Sequence, residues 1–188
     1  MSIAIIGAGR MGKGLAALFE GAGEEVALLG RAAIVPKNAN VILIATPYAE
    51  AENALAAISG IDHPIVVDMT NPIGPGLALL IGHSTSAAEE IQKRIPGGRV
   101  VKAFNTVFAE LLGIDYSEHA NPPQVPYAGD DAVAKAEVAR LITAIGFEPF
   151  DCGALKMARY LEPMGGLIVD LAYGQGRGTR IAPRFDQY

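Results

Sequence analysis

A single cysteine, Cys152, stands in this chain, so no internal disulfide can form, and it reads as a small packed residue. The three histidines, His63, His83 and His119, lie far apart in turn-rich sequence and give no metal-ligand spacing. Each reads as a surface or structural residue. Basic blocks are missing and the net charge is −5, so no nucleic-acid partner is expected. Long hydrophobic runs are missing too. The longest, "VILIATPYA" and "GGLIVDLAYG", fall well short of a bilayer span, and no membrane association is expected. The first residues read as a strand without a basic lead or a cleavage site, which predicts a cytoplasmic protein without a signal peptide.

Apolar residues make up 51% of the 188, enough for the core of one α/β domain spanning 1–188. Glycine is plentiful, and three glycines carry the first functional signal. Ile3–Ile6 form a short apolar run; Gly7, Gly9 and Gly12 follow in a G-x-G-x-x-G pattern; "LAALFEGAG" then reads as a helix ended by glycine. Gly7 permits the tight turn, Gly9 lets backbone approach a pyrophosphate, and Gly12 allows close packing of helix on strand. Arg10 and Met11 fill the variable positions of this loop and belong to the same candidate site. A phosphate here would meet unpaired amides at the positive end of a helix.

Further strands are predicted at "EEVALLG", "NVILIATP", "PIVVDMTNP" and "RVVKAFNT", and weaker ones at "QVPYAG" and "FEPFDCG". Helical patterns lie between them at about 48 to 58, 86 to 95, 107 to 113, 131 to 145 and 155 to 173. Apolar strands alternating with helices predict a Rossmann-like, doubly wound, mostly parallel sheet covered on both faces. Ser86 with Glu89 forms a capping box, and Asp131 reads as the cap of a helix ended by Gly146. Only eleven residues separate Leu29 from Val41, too few for the customary helix and outer strand. Ten extended residues reach about 33 Å, so a short crossover suffices and the second strand becomes the sheet edge.

NAD-binding proteins usually place a carboxylate after the second strand, to meet the ribose hydroxyls. Here the sequence reads "LLGR": Gly30 offers no carboxylate to repel a 2′-phosphate, and Arg31 offers a fork of donors suited to one. NADP is the expected cofactor. Three other strand tips, "ATPY" (Ala45, Thr46, Pro47, Tyr48), "TNP" with Asn71 and "AFNT" with Ala103 and Asn105, should line the ribose and nicotinamide. The two asparagine amides can each donate and accept, as a carboxamide requires.

"GAGRMG", "VVDMTNP", "RVVKAFNT", "AGDD" and "DCGALKMARYLEPMG" occur in this order over almost the whole chain. In these motifs the sequence resembles the deazaflavin (coenzyme F-420)-dependent NADP oxidoreductases, and it looks similar to the NADPH domains of six-transmembrane metalloreductases. The resemblance implies a Rossmann fold, NADP(H) binding through the glycine loop, Arg31, "ATPY" and Asn105, and hydride passed between nicotinamide and a flavin or deazaflavin. It implies that "DCGALKMARYLEP" leads back to a final packing helix. The absent helix after Arg31 and the short C-terminus depart from the family pattern and leave the second substrate open.

No Tyr-x-x-x-Lys pair is present to supply a carbonyl reductase's proton. A flavin-like acceptor asks less of the protein, because its own electronics carry the chemistry. Two alternatives stay open: an imine or hydroxyacid reductase of the pyrroline-carboxylate type, although only 35 residues follow Gly153 where that type adds a helical domain, and a non-enzymatic NADP sensor. The segment "LKMARYLEPMGGLIVDLAYG" is too apolar all round for a surface helix and predicts burial on the sheet or in a homodimer. In the tail, Arg177, Arg180 and Arg184 suit an anionic acceptor, with Ile181 and Phe185 expected beside the nicotinamide.

Overall fold

In the computed structural model, the structure describes residues 1–30, 33–186 and 188. Ile3, Ala4, Ile5 and Ile6 are buried on both faces, which commits β1 (Ser2–Ile6) to the middle of a covered sheet. The chain continues through α1 (Arg10–Gly21), β2 (Glu25–Leu29), β3 (Val41–Ile44) and α2 (Ala51–Ile58). Next come β4 (Ile65–Asp68), α3 (Ala87–Arg94), β5 (Arg99–Lys102) and β6 (Gln124–Gly129). It ends with α4 (Ala132–Ala144), β7 (Glu148–Asp151) and α5 (Ala158–Val169), the last extended by a π-helical turn over Asp170–Gly174.

The seven strands lie in the order β2-β1-β3-β4-β5-β6-β7, all parallel to their neighbours except β5 and β6. This is the expected Rossmann-like, doubly wound sheet. Strand alternation sorts the core into two layers: Ile3, Ile5, Val41 and Leu43 pack with Leu15 and Phe19 of α1 and Val138 and Leu141 of α4. Ala4, Ile6, Ile42 and Ile44 face the other way, onto Ala54 and Ile58 of α2 and Ala88 and Ile91 of α3. The chain leaves β1 toward β2 and returns to β3 on its other side, so a crevice opens at the C-terminal ends of β1 and β3.

The short crossover has a compact solution. β2 pairs with β1 alone, from Ser2↔Glu25 to Ile6↔Leu29, and is the sheet edge. Beyond it, Val35 and Ala39 are buried in the second core layer, and the Val35 amide donates to Ala57 O of α2. Two small apolar side chains thereby cover the area where a crossover helix would lie.

Both expected helix starts are present. The Glu89 amide donates to Ser86 Oγ at 3.2 Å, and the Ala134 amide donates to Asp131 Oδ1 at 2.7 Å. The Glu89 carboxylate accepts from the Ser86 hydroxyl and pairs with Arg159 of α5 at 2.6 Å, which ties α3 to α5. The helix expected over 107 to 113 is instead a single 3-10 turn at Ala109–Leu111. Phe108 keeps an extended backbone with ψ 149° before it, and Gly113 follows closely, leaving room for one turn.

Candidate functional site

The three loop glycines have separate duties. A Cβ at Gly12 would lie 1.8 Å from Gly7 O, so only glycine lets α1 pack this closely on β1. Gly7 has φ +121°, and a Cβ there would lie 2.5 Å from Ala45 O, at the tip of β3. Gly9 is different: its φ of −76° suits any residue, and a Cβ would meet nothing within 4 Å among the described residues. Open space therefore lies beside Gly9, at the start of α1. Gly9 caps α1 without a side chain and no acidic residue occupies the first turn, so the amides of Arg10, Met11 and Gly12 have no helical acceptor. These are the features a pyrophosphate requires.

Arg10 projects from this loop and pairs with Glu110 at 2.5 Å, while Met11 packs on the first core layer. Gly30 follows β2, and a Cβ there would meet nothing within 4 Å among the described residues. Arg31 lies outside the described residues.

At the tip of β3, the Ala45 amide donates to Ile6 O at 2.8 Å, which fixes "ATPY" beside the glycine loop. The hydroxyl of Thr46 is buried without a partner among the described residues. Pro47 is exposed, and Tyr48 opens a 3-10 turn, Tyr48–Glu50, that leads into α2. Burial, and then the nearby negative charge of Glu162, push the Tyr48 phenol above its ordinary pKa. It is a neutral phenol at physiological pH.

Asn71 and Asn105 come together, as the strand tips suggested, and they bond mainly to each other. Asn71 Nδ2 donates to Asn105 O at 2.8 Å, and Asn105 Nδ2 donates to Asn71 Oδ1 at 2.9 Å and to Leu161 O of α5 at 2.7 Å. Asn105 Oδ1 is buried without a partner. One amide acceptor among the described residues thus remains unused, sealed between the strand tips and α5. The bulky Phe104 before it has φ +61°, a left-handed conformation that costs about 1–2 kcal/mol and turns the chain sharply at the end of β5. Ala103 is fully buried in the first core layer, so it can offer a ligand backbone atoms alone. A Cβ at Gly165 would lie 2.5 Å from Asn71 Oδ1, so α5 lies directly on the asparagine pair.

Beneath this pair is a charged cluster absent from the sequence reading. Asp68 ends β4, Lys102 ends β5, and the two are register partners. Lys102 Nζ donates to Asp68 Oδ2 and to Glu162 Oε1 of α5, each at 2.8 Å, and to Thr70 O. All three side chains are essentially inaccessible, at 0%, 0% and 1% exposure for Lys102, Asp68 and Glu162. Glu162 also accepts the amides of Ala87 at 3.0 Å and Ala88 at 3.2 Å, which caps α3 from another helix. Burial raises the Glu162 pKa, with Lys102 opposing that rise. The sequence held one clue: "IVVD" and "RVVK" each bury a charge at the fourth residue of an apolar strand.

The tail lies elsewhere than expected. Phe185 stacks on Phe150 of β7 at 4.8 Å instead of entering the crevice, because Gln124 clasps its backbone with two hydrogen bonds. Arg184 is occupied by Glu148 and Asp186, at 2.8 Å each.

Fold and site together define a Rossmann-type dinucleotide-binding domain. No protein-family model matches the chain. A solved structure from an Arthrobacter species, provisionally assigned as an F-420-dependent NADP-reductase, is 27% identical with a TM-score of 0.87, covering 100% of both chains. A hypothetical protein from Sinorhizobium meliloti has a TM-score of 0.73 at 27% identity, over 84% of this chain and 88% of that one. The rat metalloreductase STEAP3 is 28% identical over 177 residues, 85% of this chain and 35% of that protein. The chain thus spans about a third of that relative's length. These likenesses bear out the resemblance read from the motifs: the chain is similar over its whole length to that F-420-dependent NADP-reductase and over most of its length to part of a metalloreductase.

Proposed function

We propose that this chain is an NADP(H)-dependent oxidoreductase that passes hydride between nicotinamide and a flavin- or deazaflavin-like acceptor. The observation that carries the reading is the open, uncapped start of α1 at Gly9, in a chain similar throughout to an F-420-dependent NADP-reductase. The residues fit the dinucleotide: space beside Gly9 for the pyrophosphate, and an unused polar atom at Thr46 for the ribose. NADPH, when bound, supplies the hydride. The amides of the loop would orient the phosphates, the mutually bonded Asn71–Asn105 pair would fix the strand tips beside the nicotinamide, and α5 shields that pair from water.

The test is oxidation of NADPH in a single turnover by flavins, a deazaflavin and imines. Faster oxidation by the flavin class supports the reading. Reaction with imines alone supports the pyrroline-carboxylate type of reductase, for which the neutral Tyr48 phenol is the available proton donor. No reaction with any acceptor leaves an NADP sensor.

Arg31 is proposed to select NADPH through the 2′-phosphate. A charge-assisted contact contributes about 1.5–3 kcal/mol, so Arg31→Ala is expected to weaken NADPH roughly ten- to hundredfold and leave NADH nearly unchanged. Equal losses for both nucleotides in a fluorescence titration would remove the assignment.

We also propose a cytoplasmic homodimer. α5 buries Leu161, Gly165 and Ile168 but exposes Tyr160 and Leu167 at 67% and 57%. An outward apolar face of this kind suits isologous pairing. Light scattering at micromolar concentration is expected to give twice the chain mass of 19.6 kDa; a monomeric mass refutes the pairing.

A further inference from the structure

A cavity of about 270 Å³ lies between the segment 111–124 and the tail, with Tyr116, His119, Asn121, Gln124, Arg180 and Arg184 in its wall. The register of β6 fixes which side of the sheet it occupies. Ala128 pairs with Lys102 and Gly129 with Val101, antiparallel, so Gln124 lies beyond the C-terminal end of β5. That is the side on which the nucleotide crevice opens. The tail is held across the cavity: the Phe185 amide donates to Gln124 Oε1 at 2.7 Å, Gln124 Nε2 donates to Phe185 O at 3.1 Å, Phe185 stacks on Phe150, and Arg184 pairs with Glu148.

The polar groups in this wall are unevenly satisfied. Arg184 is neutralised by Glu148 and Asp186. Arg180 is exposed and has no carboxylate within ion-pair distance among the described residues. The Tyr116 hydroxyl is buried with no hydrogen-bond partner among the described residues, and His119 packs edge-on against the Tyr116 ring at 5.2 Å. Tyr116 and Arg180 line the same cavity, and burial pushes the Tyr116 phenol up while the Arg180 charge works against the rise. A buried donor without an acceptor is costly, and an arginine fork beside it suits phosphate or carboxylate oxygens.

We propose that this cavity is a second ligand site, which takes the anionic side chain of the hydride acceptor, with Arg180 and the Tyr116 hydroxyl holding its phosphate oxygens. The identity of that ligand rests on the reductase reading above; its binding does not require turnover.

FMN and riboflavin share one ring system and differ in a terminal phosphate, so they are the probes. Titrated into the full chain without NADPH and followed by flavin fluorescence, FMN is expected to bind about tenfold or more tighter than riboflavin. Arg180→Ala and Tyr116→Phe each remove most of that advantage and leave riboflavin and NADPH affinities unchanged. Tyr116→Phe deletes only a hydroxyl that makes no bond among the described residues, so it keeps the fold. Inorganic phosphate in the millimolar range competes with FMN and not with riboflavin. Equal binding of the two flavins, absence of FMN binding, or an FMN advantage that survives both substitutions overturns the proposal. Tight FMN binding without any NADPH oxidation upholds the cavity and refutes the reductase reading. The two failures are therefore separable.

Discussion

Gly9→Val is expected to leave a folded protein that no longer binds a dinucleotide. The native φ of −76° is open to valine, and the new Cβ meets no atom of the described residues within 4 Å. The folded state loses only the better helix cap, about 1 kcal/mol. The valine methyls would fill the space beside the first-turn amides that the pyrophosphate needs. Several charge-assisted hydrogen bonds of about 1.5–3 kcal/mol each then fail together, and affinity falls by roughly a hundredfold or more. Calorimetry reads the binding and circular dichroism the fold. Gly7→Ala is the contrasting control, since its Cβ meets Ala45 O and its φ is positive, so it damages the fold first. Micromolar binding retained by folded Gly9→Val would place the phosphates elsewhere.

Lys102→Met is expected to cost about 3–5 kcal/mol of stability, a large share of the roughly 5–15 kcal/mol of an ordinary domain. Methionine fills much of the volume, so the loss is electrostatic: Asp68 and Glu162 remain buried without the ammonium that bonds both. The pH dependence identifies that origin. Burial already holds the Glu162 carboxyl above its ordinary pKa, and Lys102 is the strongest influence against it, so its removal raises that pKa further. A folded pKa above the unfolded value means that the folded state keeps the proton more readily. The deficit is therefore smallest below about pH 4.3, the unfolded value for glutamate, and grows as pH rises through the folded one. Urea midpoints of variant and wild type are expected to diverge between pH 4 and pH 8. A constant difference would assign the loss to packing alone.

The glycine loop was legible because its information is local: Gly7, Gly9 and Gly12 stand at fixed offsets between an apolar run and a helix. The edge position of β2 followed from counting the residues before Val41, and β1, β3, β4 and β5 from their apolar runs. What stayed hidden depends on register. Asp68 and Lys102 meet because β4 and β5 pair in parallel, and Glu162 joins them from a helix sixty residues further along. The strand-tip asparagines could be named, but their bonding to each other needed the same register. The place of Phe185 is hidden for a related reason: nothing local in the tail marks Gln124 and Phe150 as its destination.

The cap that Glu162 places on α3 also orders the making of the protein. Ala87 and Ala88 precede their acceptor by 75 and 74 residues. A nascent chain that has released β4, α3 and β5 from the ribosome therefore carries Lys102 with one of its two carboxylates and α3 with part of its start unsatisfied. Long-range contacts of this kind must await loop closure. Completion of α3 is then a late, C-terminus-dependent event, and the central strands reach their final stability only once α5 has emerged and docked.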